Sequence, residues 1–77
     1  MKELNLYKNK LKEVPAQISN LANLEFLSFR ANPISEIPNE IYKLKALKTL
    51  DLGDTKISEE RIEEIKAKMT WAEVEYG

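Results

Sequence analysis

The chain has 77 residues, 43% hydrophobic and 32% charged, with 12 Lys and Arg against 13 Asp and Glu. That length holds one small domain, and that composition is globular rather than disordered. The net charge of -1 excludes the strongly basic footprint of a nucleic-acid binder, and the lack of Cys and His removes disulfides, thiolate nucleophiles and the commonest general base and metal ligand.

In chain order, the first predicted element is a short strand. Leu4 and Leu6 alternate with polar neighbours, the period of a half-buried strand. Asn9 follows where that strand must bend away, and an Asn amide there pairs with backbone groups released from the ladder. Pro15 suits the first turn of a short helical segment, where no N–H is needed. Ile18, Leu21 and Leu24 then return at spacing three, which predicts a tight, 3₁₀-like helix.

The same series recurs after 23 residues. Leu4, Leu27 and Leu50 share a column, as do Leu6, Phe29 and Leu52, then Asn9, Asn32 and Thr55, then Leu11, Ile34 and Ile57. Val14-Pro15 returns as Ile37-Pro38, Ile18 as Ile41, Leu21 as Leu44 and Leu24 as Leu47, with Met1 in that last column. One unit cannot bury its own apolar face, whereas stacked units bury a continuous one.

After Ile57 the Pro step disappears. Ser58 is a good N-cap, Glu59 and Glu60 sit in the first turn, and Lys66 and Lys68 sit near the end, matching the dipole of a longer helix. Ile62, Ile65 and Met69 make its apolar stripe. Ala72 to Tyr76 alternates like a closing strand.

The unit LxxLxLxxNxLxx[VI]PxxIxxLxx, repeated almost completely twice, resembles the leucine-rich repeat family, in particular its 23-residue subclass. The resemblance covers nearly the whole chain. It implies an α/β fold: a short horseshoe-shaped leucine-rich repeat solenoid with a parallel sheet on the concave side and short helical segments on the convex side. The expected divisions of one domain, 1–77, are repeats 1–23, 24–46 and 47–57 and a C-terminal cap 58–77. Residues 58–77 look like the C-terminal end of bacterial members, a helix and a strand that seal the last core layer.

The resemblance also implies binding of another protein across the sheet. Strand residues between the Leu columns point to that face. The candidate contact residues are Tyr7, Phe26, Arg30, Thr49, Asp51 and Trp71. Phe26 either anchors a partner or packs across the strands against Tyr7 or Thr49. Trp71 either faces the partner or lids the core beside the cap helix. Arg30 either anchors a ligand or pairs with Asp51 or Glu3.

No cap precedes Leu4, so Met1, Leu4 and Leu6 form an apolar open end. Either another copy covers it, as in a homodimer, or the chain is the C-terminal piece of a longer solenoid. Residues 1–12 hold four Lys and one Glu, whereas residues 51–77 hold four basic and eight acidic groups. Such asymmetry orients partners or simply keeps the surface solvated.

Catalysis is not expected. Asp51, Asp54, Glu73 and Glu75 cluster on an open sheet, with no pocket to desolvate them and no Asp-x-Asp-x-Asp-Gly loop for calcium. No metal, cofactor or nucleic-acid partner is expected, and an enzyme role is left only to a recognition arm of some separate catalytic domain. No run of 18 apolar residues suits a membrane span, and the first eight residues lack a signal peptide's apolar core, so a cytoplasmic protein is expected.

Overall fold

A computed structural model describes residues 2–76. Three strands recur at the 23-residue interval: β1 (Glu3–Asn5), β2 (Phe26–Ser28) and β3 (Thr49–Asp51). A fourth, β4 (Glu73–Glu75), closes the sheet. All pair in parallel in the order β1-β2-β3-β4. The register brings Leu4, Leu27, Leu50 and Val74 into line, so the Leu column of the sequence becomes a row of the core.

The crossovers between the first three strands are 3₁₀ turns, Ala16–Asn20 and Asn39–Lys43. The spacing-three pattern starts in this element and runs past it: Ile18 lies inside the first turn, and Leu21 N and Leu24 N then donate three residues back, to Ile18 O and Leu21 O at 3.1 and 3.0 Å. Pro15 and Pro38 sit one step outside the turn, at the N-cap, with extended backbone. Each uses its carbonyl, which accepts from Ile18 and Ile41 respectively at 3.1 Å. Lacking an N–H costs nothing at that position.

Burial is graded by layer. In the middle layer Leu24, Leu27, Phe29, Ile34, Ile37, Ile41 and Leu44 are at most 1% exposed. One repeat earlier Val14 and Ile18 are still buried, at 8% and 6% exposed, but Leu4, Leu6, Leu11 and Leu21 are only half-buried. The sequence types are equivalent, and what differs is the number of neighbouring layers.

Polar columns tie the layers together. Asn9, Asn32 and Thr55 each donate to the carbonyl three residues back, at 2.9, 2.9 and 2.8 Å. Asn32 is buried and does more, donating also to Leu6 O at 2.7 Å and accepting from Leu11 N at 3.1 Å. Asn9, in the outer layer, is exposed.

A second periodic feature is conformational. Lys8, Ala31 and Asp54, one per repeat, have φ of 60°, 62° and 52°. The left-handed region costs an alanine about 1–2 kcal/mol. Replacing Ala31 by Gly therefore removes strain at the expense of a more flexible unfolded chain, and stability is expected to rise by about 0.5–1 kcal/mol. A urea titration checks this, and an unchanged or lower midpoint counts against it.

The cap is α1 (Glu59–Lys68), started by Ser58, whose Oγ accepts from Arg61 N at 3.2 Å. Ile62, Ile65 and the following Met69 enter the core. Arg61 staples α1 to the second repeat. Its guanidinium donates to Glu36 Oε1 (2.6 Å), Glu64 Oε1 (2.7 Å), Tyr42 OH (2.9 Å), Ile37 O (2.7 Å) and Asn39 Oδ1 (3.0 Å). Burial alone would lower the Arg61 pKa, but the Glu36 and Glu64 carboxylates outweigh it and hold the side chain charged.

Candidate functional site

The Leu row points into the core, so the flanking strand positions point away from it. Glu3, Phe26, Thr49 and Glu73 form one outward row, and Asn5, Ser28, Asp51 and Glu75 the next. Two residues beyond each of the first three strands come Tyr7, Arg30 and Gly53. Tyr7 is 53% exposed, whereas Phe26, Thr49 and Asp51 are half-buried.

The end of each strand is fastened in the same way. Asn5 Oδ1, Ser28 Oγ and Asp51 Oδ1 accept from the backbone N–H two residues on, at 2.9, 3.3 and 3.0 Å. Short polar side chains make this local bond readily. Asp51 has a second oxygen, and Arg30 Nε donates to it at 2.8 Å. Arg30 Nη1 also lies 3.8 Å from Asp54. The bond to Asp51 raises the Arg30 pKa, with its charge adding to the effect.

Gly53 explains how Arg30 lies down. A Cβ built on Gly53 would stand 2.4 Å from Arg30 Cζ, so the guanidinium rests where that side chain would be. Strand alternation places Gly53 on the concave side without assigning it a role. Its signal was present in the 23-residue alignment, where it is the one side-chain-free member of the column holding Tyr7 and Arg30.

The other sequence-derived candidates fall elsewhere. Trp71 lies before β4, outside the two outward rows, and its Nε1 donates to Leu44 O at 3.0 Å. It packs against the core, with Lys45 Nζ 3.8 Å from the ring centroid. Ala72 and Val74 also pack on the core, but Tyr76 does not turn inward: it is 43% exposed, with Lys66 Nζ 5.0 Å from its ring. Leu4 and Leu6 lie half-buried at the outer layer, and Met1 lies outside the described residues.

A hollow of about 420 Å³ lies at the α1 junction, lined by Glu36, Ser58, Glu60, Arg61 and Glu64. Its central charges already pair with each other. Among the described residues no group of three acidic side chains is placed to hold a metal, and no helix is long and apolar enough to cross a membrane.

The family model described as "Leucine Rich repeats (2 copies)" matches residues 22–67. The chain belongs to the leucine-rich repeat family. A solved structure, a leucine-rich repeat protein of Leptospira interrogans, is 28% identical to it, with a TM-score of 0.65. That match covers 97% of this chain and 25% of the other, so this leucine-rich repeat chain spans a quarter of its neighbour's length. No curated protein matches the chain. Leucine-rich repeat domains generally serve as protein-interaction modules. In this one the outward side of the sheet is a face four short strands wide.

Proposed function

We propose that this leucine-rich repeat chain is a non-catalytic module that binds a protein partner across its concave sheet. One observation carries the reading: Arg30, held by Asp51 and lying over Gly53, shares the outward side of the sheet with exposed Tyr7 and half-buried Phe26. Aromatic and Arg side chains are enriched at binding hot spots, and a pre-positioned one loses less entropy on binding. Thr49 and Asp51 complete the surface, while Trp71 serves the cap.

Phe26→Ala is expected to weaken partner capture at least about tenfold while leaving the thermal midpoint within a few degrees. Surface plasmon resonance against a captured partner, with a parallel melt, checks it. Undiminished binding by a folded variant overturns the concave reading.

A second reading rests on the burial gradient. Leu4, Leu6, Leu11 and Leu21 stay half-buried while the same columns one layer on are sealed, and the outer edge of β1 has no neighbour among the described residues. Such an edge beside an apolar layer invites a further layer. That layer comes from a second copy or from more of a longer solenoid. For a second copy, sedimentation equilibrium is expected to show a mass above the 8.9 kDa monomer. A monomer persisting to ~100 μM removes that source.

A further inference from the structure

We infer that the partner segment is basic, with two Lys or Arg side chains flanking an apolar one in an extended strand. This rests on the concave-sheet reading above and adds the partner's chemistry to it.

The outward face is acidic although the chain as a whole is nearly neutral. Its two rows hold Glu3, Asp51, Glu73 and Glu75 and no Lys, and the adjoining Arg30 is already matched to Asp51. Among the described residues Glu3, Glu73 and Glu75 enter no salt bridge. The surplus Lys residues of the first repeat, Lys8, Lys10 and Lys12, follow β1 in the chain and occupy neither row.

The register sets the spacing. Glu3, Phe26, Thr49 and Glu73 cross the sheet in one row, carboxylate, phenyl, methyl-bearing hydroxyl, carboxylate. Three inter-strand steps of ~4.8 Å place the two Glu positions about 14 Å apart. An extended peptide rises ~3.4 Å per residue and shows every second side chain to one face, so its residues i and i+4 are also about 14 Å apart. A cation–x–apolar–x–cation segment laid across the strands therefore places one charge at Glu3, one at Glu73 and its apolar side chain over the Phe26–Thr49 centre. Glu75, beside Glu73 on β4, adds to the field at that end. The same surplus of carboxylates repels phosphates, which argues against a nucleic-acid occupant.

The test is selection of a displayed random peptide library on the full chain, followed by titration of the selected peptides and of the synthetic peptide Lys-Ser-Leu-Ser-Lys. Selected sequences are expected to carry basic residues four apart around an apolar one. Binding is expected to fall about tenfold in the Glu3→Gln, Glu73→Gln double variant, whose exposed sites leave folding intact, and to weaken several-fold as salt rises. Three results overturn the inference in different ways. Neutral or acidic peptides that lose binding in Phe26→Ala remove the basic partner but keep the concave reading. Peptides that bind Phe26→Ala undiminished remove the concave reading itself. A library that yields no binder removes both.

Discussion

Replacing Asn32 by Leu is expected to cost about 2–5 kcal/mol, bringing a domain of this size close to unfolding. The estimate comes from counting which groups lose their partner. Asn32 Nδ2 serves the carbonyls of Leu6, Phe29 and Arg30, and its Oδ1 accepts from Leu11 N. Two of those carbonyls have another donor: Asn9 Nδ2 reaches Leu6 O at 2.9 Å, and Lys8 N reaches Arg30 O at 2.9 Å. The Leu11 N–H and the Phe29 carbonyl are the groups stranded. Each unsatisfied buried group costs about 1–3 kcal/mol, more than the Leu side chain recovers by burial in a site shaped for an amide. Asn9→Ala, at the equivalent position one layer out, strands nothing, because Asn32 still reaches Leu6 O. Its expected cost is below about 0.5 kcal/mol. Urea unfolding of both variants separates them. Equal losses would show that the layers are not joined through Asn32.

Arg61→Ala is the second large effect, at about 2–3 kcal/mol. Its side chain is 13% exposed, and it is the polar fastener between the cap helix and the second repeat. Truncation leaves the Ile37 carbonyl and the Tyr42 hydroxyl without this donor and takes one of two partners from each of the Glu36 and Glu64 carboxylates. Lys is not an adequate substitute, because one ammonium cannot span Glu36, Tyr42 and Ile37 as a planar fork does.

The same fastener carries a pH signature. The Glu36 carboxyl is held below the usual range by the Ile37 N–H first and by Arg61 second. Glu64 is held low by its bond to Arg61 and then by the charge of Lys68. Both groups are more acidic folded than unfolded, so their stabilisation is present above the ordinary carboxylate pKa and fades as pH falls through the lowered one. Stability of the natural chain is therefore expected to decline from about pH 5 downward, and Arg61→Ala to show a smaller decline. Urea midpoints at about pH 7 and pH 3 check this, and parallel declines would overturn it.

The architecture was legible because it is written as a period along one chain. The columns headed by Leu4, Leu27 and Leu50 became the strand register, the Ile18–Leu21–Leu24 spacing became a 3₁₀ turn at Ile18 followed by two further three-residue hydrogen bonds, and Ser58 began the cap helix. Each is local, or repeats at a fixed interval, and so survives projection onto sequence. Trp71 shows where that logic ends. Alternation back from Glu73 put it on the outward face. The register pairs Thr49 with Glu73, one residue beyond the 23-residue step, because a full α-helix replaces the 3₁₀ turn there. Counted from that pairing, Trp71 falls in the column of buried Leu47, and it lies against the core with Leu44 O as its acceptor.

Arg61 and the half-sealed first layer had no one-dimensional signature of their own. The partners of Arg61 lie up to 25 residues away in sequence, and Gly53 matters through an Arg one repeat earlier. Leu4 and Leu27 are the same residue in the same column, yet one is half-buried and the other sealed. A repeated sequence specifies which side chains face inward, because that depends on backbone geometry within each unit. How completely each is covered, and which long polar side chains meet, depends on which layers lie above and below, and that is a property of the stack.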